Sequence, residues 1–111
     1  MTKDLSINIL MDFYGQLLSE RQYEMMDMYY NQDLSLGEIA AETSISRQGV
    51  RDLVKRGERQ LAEFEEKLGL AERFAGITAD IEEMNKIINT LPDTVQIKRL
   101  KELSVLLKEK I

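Results

Sequence analysis

The sequence contains neither cysteine nor histidine. Disulfide bonds are therefore excluded, and so are zinc sites built from thiolate and imidazole ligands. Because histidine is absent, the chain also lacks the commonest general acid–base side chain of enzymes. The remaining residues contain no glycine-rich phosphate loop and no serine–lysine or other nucleophile pairing. We therefore expect no catalytic residues, no metal site and no cofactor.

Proline and long apolar runs are also scarce. Pro92 is the single proline among 111 residues, and there are six glycines. Long periodic segments between so few breakers predict an all-α fold. No segment approaches the roughly 20 apolar residues that a membrane span needs, and residues 1–10 lack the apolar run of a signal peptide. We therefore expect a cytoplasmic protein without a membrane span.

Negative charge dominates the chain but is unevenly spread. The net charge is −5. Residues 1–45 carry 2 basic and 8 acidic side chains, a net of −6, and residues 62–111 carry 8 basic and 10 acidic side chains, a net of −2. Residues 46–61 carry 5 basic and 2 acidic side chains, a net of +3. This segment is where an anionic partner would bind, although the acidic segment before it weakens long-range attraction.

Helix-capping patterns divide the chain into helices. Ser19 with Gln22, and Ser35 with Glu38, both match a capping box, in which an N-cap serine is followed by glutamine or glutamate at N3. The other predicted ends are caps at Ser6, Ser46 and Asp93, and a Schellman stop at Gly69. We predict a compact four-helix domain at residues 1–70 and a helical hairpin at residues 71–111.

Helical spacing of apolar residues predicts which faces are buried. In the first helix the inward residues would be Ile9 or Leu10, Phe13 and Leu17. In the second helix they would be Tyr23, Met26 and Tyr29 or Tyr30. In the helix after Ser46 they would be Val50, Leu53 or Val54, Gly57, Leu61, Phe64 and Leu68.

Residues 35–61 combine a short capped helix, a turn and a second, basic helix, which is the pattern of a helix-turn-helix. The second helix of this motif enters the major groove of DNA with its N-terminus first. Arginine can pair two donors with guanine and glutamine can do so with adenine, while the same groups can also bind phosphates. The first N–H groups of the helix are themselves an anion site. The predicted nucleic-acid-binding residues are Ser46, Arg47, Gln48, Arg51, Lys55 and Arg59.

Other interpretations of these features remain open. A basic stripe can also be a solvated helix face, and a protein-binding adaptor could keep the scaffold without touching nucleic acid. The acidic cluster at residues 80–84 is interpreted as a solvated face rather than a metal site. The run "MMDMYY" is interpreted as core rather than as an adaptable binding surface.

Two families share local sequence with this chain. The segment "LLSERQYEMMDMYYNQDLSLGEIAAETSISRQGVRDLVKRGERQL" resembles region 4 of bacterial sigma factors, which is a helix-turn-helix. More closely, "MDFYGQLLSERQ", "YYNQDLSLGEIAAE", "SISRQGVRDLVKR" and "EEKLGL" resemble the YlxM family, small helix-turn-helix proteins typically encoded beside the GTPase of the signal recognition particle. The resemblance runs from about Leu10 to Phe74. It implies a sigma-like helical domain and a regulatory or accessory role in that pathway, with DNA, the particle's RNA or a protein of the particle as partner.

The sequence departs from these patterns at two positions. Ser44 stands in the turn where helix-turn-helix proteins often have glycine. Gly49 stands near the start of the second helix, where alanine is usual in the resembled family, and lowers helix propensity by about 1 kcal/mol. We interpret Gly49 as drift rather than as a site of close approach to a partner.

The apolar stripes of the last two helices could be buried in two ways. They could fold back on the first domain, or they could pair with a second copy of the chain. Paired helix-turn-helix units would suit two DNA half-sites. We therefore predict a homodimer formed through residues 71–111.

Overall fold

The computed structural model of the chain describes residues 3–4 and 6–111. Its six α-helices are α1 (Ser6–Tyr14), α2 (Glu20–Met26), α3 (Leu36–Thr43), α4 (Arg47–Leu68), α5 (Leu70–Ile88) and α6 (Val95–Glu109). A 3₁₀ turn at Gly15–Leu17 follows α1, and a π-helical turn at Asp27–Asn31 follows α2. The described residues contain no β-strand. The predicted all-α fold is confirmed.

The chain forms two compact units, with the division between Ala71 and Glu72. The first unit holds α1 to α4 and the first two residues of α5. The second unit holds the rest of α5 together with α6.

Helix α4 is the central element of the first unit, because α1, α2 and α3 all pack against it. Its buried face consists of Val50, Val54, Gly57 and Leu61. These residues recur every three or four positions, so they form one stripe along the helix. Leu68 belongs to the same predicted stripe but is 48% exposed.

A glycine allows α2 to approach α4 closely. A Cβ atom at Gly57 would lie 2.6 Å from Met26 Sδ and 2.7 Å from Gln22 Nε2. The buried Gln22 side chain donates a hydrogen bond to the Leu53 carbonyl of α4. The predicted capping box at the start of α2 is therefore half formed. Ser19 Oγ accepts from the Gln22 N–H at 3.2 Å, but the Gln22 side chain binds α4 instead of returning to Ser19.

The buried face of α1 differs in part from the predicted one. Leu10 and Phe13 are partly buried against the core, as predicted. The fully buried residues are Ile7, Met11 and Tyr14, whereas Leu17 is exposed. Ile9 faces outward because it follows the buried Ile7 by two positions, about 200° around the helix. Leu17 leaves the stripe because the chain turns into the 3₁₀ segment after α1.

The inner face of α2 and the π-helical turn also differs in part. Met26, Tyr29 and Tyr30 are buried as predicted, but Tyr23 is 39% exposed and Met25 is buried in its place. The interpretation of the methionine and tyrosine run as core therefore agrees with the burial of these side chains.

Two predicted helix caps lie at neighbouring residues. Ser6 is the first residue of α1, and the Asp4 carboxylate accepts from its N–H at 3.0 Å and from its hydroxyl at 2.8 Å. Helix α6 is capped by Thr94 rather than by Asp93. The Thr94 hydroxyl accepts from the Ile97 N–H at 3.2 Å.

Gly69 ends α4, as predicted, with a left-handed φ of 61° and an N–H bond to the Glu65 carbonyl of 2.8 Å. The expected Schellman bond is replaced, because the Leu70 N–H donates to the Tyr14 hydroxyl at 3.0 Å. The Tyr14 hydroxyl donates in turn to the Glu65 carboxylate at 2.8 Å, and the same carboxylate accepts from the Ala71 N–H at 3.0 Å. Buried Tyr14 therefore fixes the end of α4 and the first residues of α5.

In the second unit, α5 and α6 form a hairpin. The Ser104 hydroxyl donates to the Asn85 side-chain oxygen, and Ser104 is 1% exposed. Because a connection of only six residues joins the helices, this contact requires that they run antiparallel. Ile81 and Ile88 of α5 are buried in the same unit.

Candidate nucleic-acid interface

The turn between α3 and α4 is fixed by local geometry. Ser44, the C-cap of α3, has a φ of 58°, which is the left-handed conformation that glycine adopts most easily. Ser46 is the N-cap of α4, and its hydroxyl accepts from the Gly49 N–H at 3.0 Å. Between them, Ile45 is partly buried against the core. The predicted three-residue turn of the helix-turn-helix is thus present.

Gly49 has a steric role in this turn. A Cβ atom at Gly49 would lie 2.9 Å from Ile45 Cγ2 and 3.0 Å from Ser46 Oγ. The glycine therefore leaves room for the side chain that anchors the turn and for the hydroxyl that caps α4. This packing gives a physical reason for glycine at position 49. The interpretation of Gly49 as drift did not consider it.

Helix α3 is held by the capping box that the sequence predicts. The Ser35 hydroxyl accepts from the Glu38 N–H at 3.1 Å, and the Glu38 carboxylate accepts from the Ser35 N–H at 3.1 Å. This backbone hydrogen bond, with the Ser35 side chain, holds the pKa of the Glu38 carboxyl below its usual range. Glu38 therefore stays ionised at neutral pH. Ile39 of the same helix is fully buried in the core, so α3 and α4 are fixed on a common support.

The structure places most of the predicted binding residues on the surface. Lys55 is half-buried, and the exposed members of the set are Ser46, Arg47, Gln48, Arg51 and Arg59. Arg47, Gln48 and Arg51 come together with Leu36 around one shallow recess at the start of α3 and α4. The ion pairs in the described part of the chain include neither Arg47 nor Arg51. Two guanidinium groups can therefore meet an anion at this end of α4.

The next residues of the basic stripe are engaged with acidic neighbours. Lys55 Nζ lies 3.8 Å from the Glu58 carboxylate, which also accepts a 2.5 Å hydrogen bond from the Tyr30 hydroxyl. Gln48 Nε2 donates to the Asp52 carboxylate at 3.0 Å. Gln48 must therefore leave Asp52 before its amide can contact a base.

Arg59 is separated from the start of α4 by helical geometry. A spacing of four residues turns about 40° past a full turn, so the stripe winds around the helix. Arg59, twelve residues after Arg47, lies about 120° around α4 and about 18 Å along it. Arg56 is another exposed arginine of α4. It was not predicted from the sequence, because it does not follow the four-residue spacing of the other basic residues.

Acidic groups border the recess at the start of α4. A second recess shares Leu36 and Arg47 with the first and also contains Asp33 and Glu38. Asp33 is paired with Lys3, whose Nζ lies 2.7 Å from its carboxylate, and this pairing lowers the pKa of the Asp33 carboxyl. Arg47 therefore lies between the recess that it shares with Arg51 and a recess that also contains acidic side chains.

Two other kinds of feature are absent from the described part of the chain. No three acidic side chains there come together in a geometry that could hold a metal ion. No helix of residues 6–111 combines the length and the apolar character needed to cross a bilayer.

Comparisons with known proteins agree with this geometry. Residues 1–105 match the model of the UPF0122 family, described as "Putative helix-turn-helix protein, YlxM / p13 like". A UPF0122 protein of Acetivibrio thermocellus is 47% identical over 93 residues, which cover 84% of this chain and 74% of the relative. A UPF0122 protein of Halalkalibacterium halodurans is 40% identical over 102 residues, covering 92% of this chain and 94% of the relative. The resemblance to the YlxM family is confirmed, and the family match extends over most of the C-terminal hairpin, where no motif was recognised.

Proposed function

This chain belongs to the UPF0122 family of YlxM- and p13-like helix-turn-helix proteins, and we propose that it is a non-enzymatic protein that binds nucleic acid through the first turns of α4. The supporting observation is the group formed by Arg47, Gln48 and Arg51 around one recess at the start of that helix. In a helix-turn-helix, the N-terminal residues of the second helix are the ones that reach the base edges.

Contacts to the phosphate backbone account for most of the binding free energy in this proposal. Arg47 and Arg51 can each bond a phosphate or a guanine, and the unbonded N–H groups at the start of α4 favour the same anion. Lys55 can contribute only after its 3.8 Å contact with Glu58 opens, and Arg59 reaches a different part of the backbone. We therefore expect about three phosphate contacts and moderate affinity.

The pathway is proposed from the resemblance to the YlxM family. We propose that the protein is a regulatory or accessory factor of the signal recognition particle pathway in the cytoplasm. Its nucleic-acid partner would then be DNA or the RNA of the particle. Sequence-specific recognition of RNA usually targets loops and splayed bases rather than the deep major groove of an RNA helix, so the two partners would use the arginines of α4 differently.

The test is a fluorescence-anisotropy titration at several salt concentrations with a duplex DNA and with the structured RNA of the particle. Three phosphate contacts on duplex DNA release enough counterions to give a log–log slope of about −3. Binding to either polymer with a slope of this size supports the proposal. Absence of binding to both at low salt would refute it and would favour a protein-binding adaptor built on the same scaffold.

A further inference from the structure

The second unit has an unusual concentration of exposed apolar side chains. Four large apolar residues are exposed among the described residues before position 72, and eleven are exposed after it. In α5 the exposed residues are Ile77, Met84 and Ile87. In α6 they include Leu100, Leu103 and Leu107, each at least 40% exposed. A surface of this kind marks an interaction site when its members are contiguous.

The burial pattern shows which side of each helix faces the other. In α5 the residues Ile81 and Ile88 are buried and Asn85 bonds α6. In α6 the side chain of Ser104 is buried against Asn85. A small polar residue thus occupies the hairpin contact of α6, while its leucines lie elsewhere.

Helical periodicity places the exposed stripes of both helices on one side of the hairpin. At 100° per residue, the stripe of α5 is offset by about 80° from the line through Ile81, Asn85 and Ile88. The stripe of α6 is offset by about 70° from Ser104 in the same rotational sense. Because the two helices run antiparallel, similar offsets in the same sense bring both stripes to the same side. The six residues therefore form one broad apolar face, which we call the hairpin face.

We propose that the hairpin face binds the hairpin face of a second copy of this chain, giving an antiparallel four-helix bundle. A two-fold axis parallel to the helices would lay α5 of one protomer against α6 of the other. Each helix is then antiparallel to both of its neighbours, as in up-down four-helix bundles. Rotation about this axis does not shift a residue along the helices, so Met84 lies at a height between Leu103 and Leu107 of the partner subunit.

Charge complementarity favours a second copy over an unrelated partner. Residues 72–88 carry 2 basic and 4 acidic side chains, a net of −2, and residues 95–109 carry 4 basic and 2 acidic side chains, a net of +2. In the two-fold arrangement, α5 of each protomer lies against α6 of the other. The opposite net charges of the two helices therefore face each other at two symmetry-related contacts. At the edge of the hairpin face, Asp80 lies level with the end of α6, where Lys110 follows the helix. The dimer brings Asp80 of one protomer beside the partner's Lys110.

This proposal does not depend on nucleic-acid binding, so it is tested on the full chain alone. Sedimentation equilibrium over about 1–100 µM should show a dimer, because interfaces of standard size have dissociation constants of micromolar or below. Leu103→Lys should give a monomer. The matched control is Val105→Lys, since Val105 is also exposed on α6 but points about 160° away from Leu103. A chain that is monomeric throughout this range would overturn the proposal, and so would equal dissociation of the two variants.

A charge exchange keeps the test decisive if Leu103→Lys fails to fold. Asp80→Lys should weaken dimerisation by about 2–30-fold, the effect of two symmetry-related surface ion pairs. The second change Lys110→Asp should restore the wild-type dissociation constant. A double variant that stays as weak as the single one would contradict the two-fold arrangement.

Discussion

The substitution Gly57→Ala tests whether the contact between α2 and α4 stabilises the first unit. The added methyl group would lie 2.6 Å from Met26 Sδ and 2.8 Å from Met26 Cγ, whereas nonbonded carbon atoms pack at about 3.5–4.0 Å. Met26 is 0% exposed and Gln22 is 5% exposed, so neither side chain can move into solvent without unpacking the core. Relief of the overlap would also displace the Gln22 amide from the Leu53 carbonyl.

The expected magnitude follows from three opposing contributions. Overpacking of a tight core costs about 1–3 kcal/mol, and loss of a buried hydrogen bond costs about 1–3 kcal/mol more. Alanine returns about 1 kcal/mol of helix propensity. Gly57→Ala should therefore lower the free energy of unfolding by about 1–5 kcal/mol, which corresponds to a fall in Tm of roughly 5–25 °C for a domain of this size.

The assay is thermal and urea unfolding followed by circular dichroism, with Gly37→Ala as the matched control. Gly37 also lies in a helix of the first unit, but a Cβ atom there meets nothing closer than Ser35 Oγ at 4.0 Å. Gly37→Ala should be neutral or stabilising by up to about 1 kcal/mol. If Gly57→Ala is as well tolerated as Gly37→Ala, the close approach of α2 to α4 does not stabilise the fold as argued.

Three further outcomes follow from the turn and the core. Ile45→Ala should lower the free energy of unfolding by about 1–2 kcal/mol. This is less than the roughly 2–5 kcal/mol expected for a fully buried isoleucine, because Ile45 is only partly buried. Chemical unfolding measures the change, and a variant as stable as the wild type would mean that Ile45 does not anchor the turn. Ser44→Gly should stabilise the protein by about 1 kcal/mol in the same assay, because it removes the strain of a left-handed φ, and a destabilised variant would contradict that strain. Burial and the hydrogen bond to Glu58 raise the pKa of the Tyr30 hydroxyl above its usual range. The folded state therefore favours the neutral phenol. Its contribution to the free energy of unfolding should be retained below a pH of about 10 and lost above it, because the unfolded state then ionises. Tyr30→Phe should flatten that loss in unfolding curves measured from pH 8 to 11, and an unchanged slope would count against the Tyr30–Glu58 contact.

Helix ends were predictable from the sequence because a cap is a contact within a few residues. Ser35 with Glu38, Ser46 and Gly69 all act where their local patterns place them. The predicted cap at Ser6 was wrong, because the carboxylate of Asp4, two residues earlier, accepts from the Ser6 N–H. Such errors are small, since neighbouring polar residues compete for the same role.

Buried faces were less predictable where the helical repeat changes. The 3₁₀ turn after α1 takes Leu17 off the stripe that a continuous helix would give it. Contacts between distant residues could not be read from any local pattern. Gly57 meets Met26 across 31 positions, and Tyr14 bonds Glu65 and Leu70 across 51 and 56 positions.

For the candidate site, the sequence identified exposed basic residues but not their surroundings. The four-residue spacing correctly brings Arg47 and Arg51 to one exposed side of α4. It does not reveal that Lys55 contacts Glu58, because the position of Glu58 depends on its bond to Tyr30 from another helix. The charge available for binding is therefore concentrated in the first turns of α4.

The central claim, that the start of α4 binds nucleic acid, is tested most directly by comparing Arg51→Ala with Lys67→Ala. Both changes remove one positive charge from an exposed residue of α4, and the two sites lie about 24 Å apart along the helix. Each variant should keep its stability within about 0.5 kcal/mol, as surface substitutions do. In anisotropy titrations Arg51→Ala should weaken binding by about 1–3 kcal/mol if it contacts a base, or by less with a salt slope smaller by about one if it contacts a phosphate, while Lys67→Ala should bind as the wild type does. Equal weakening by both variants, or unchanged binding by Arg51→Ala, would contradict the account.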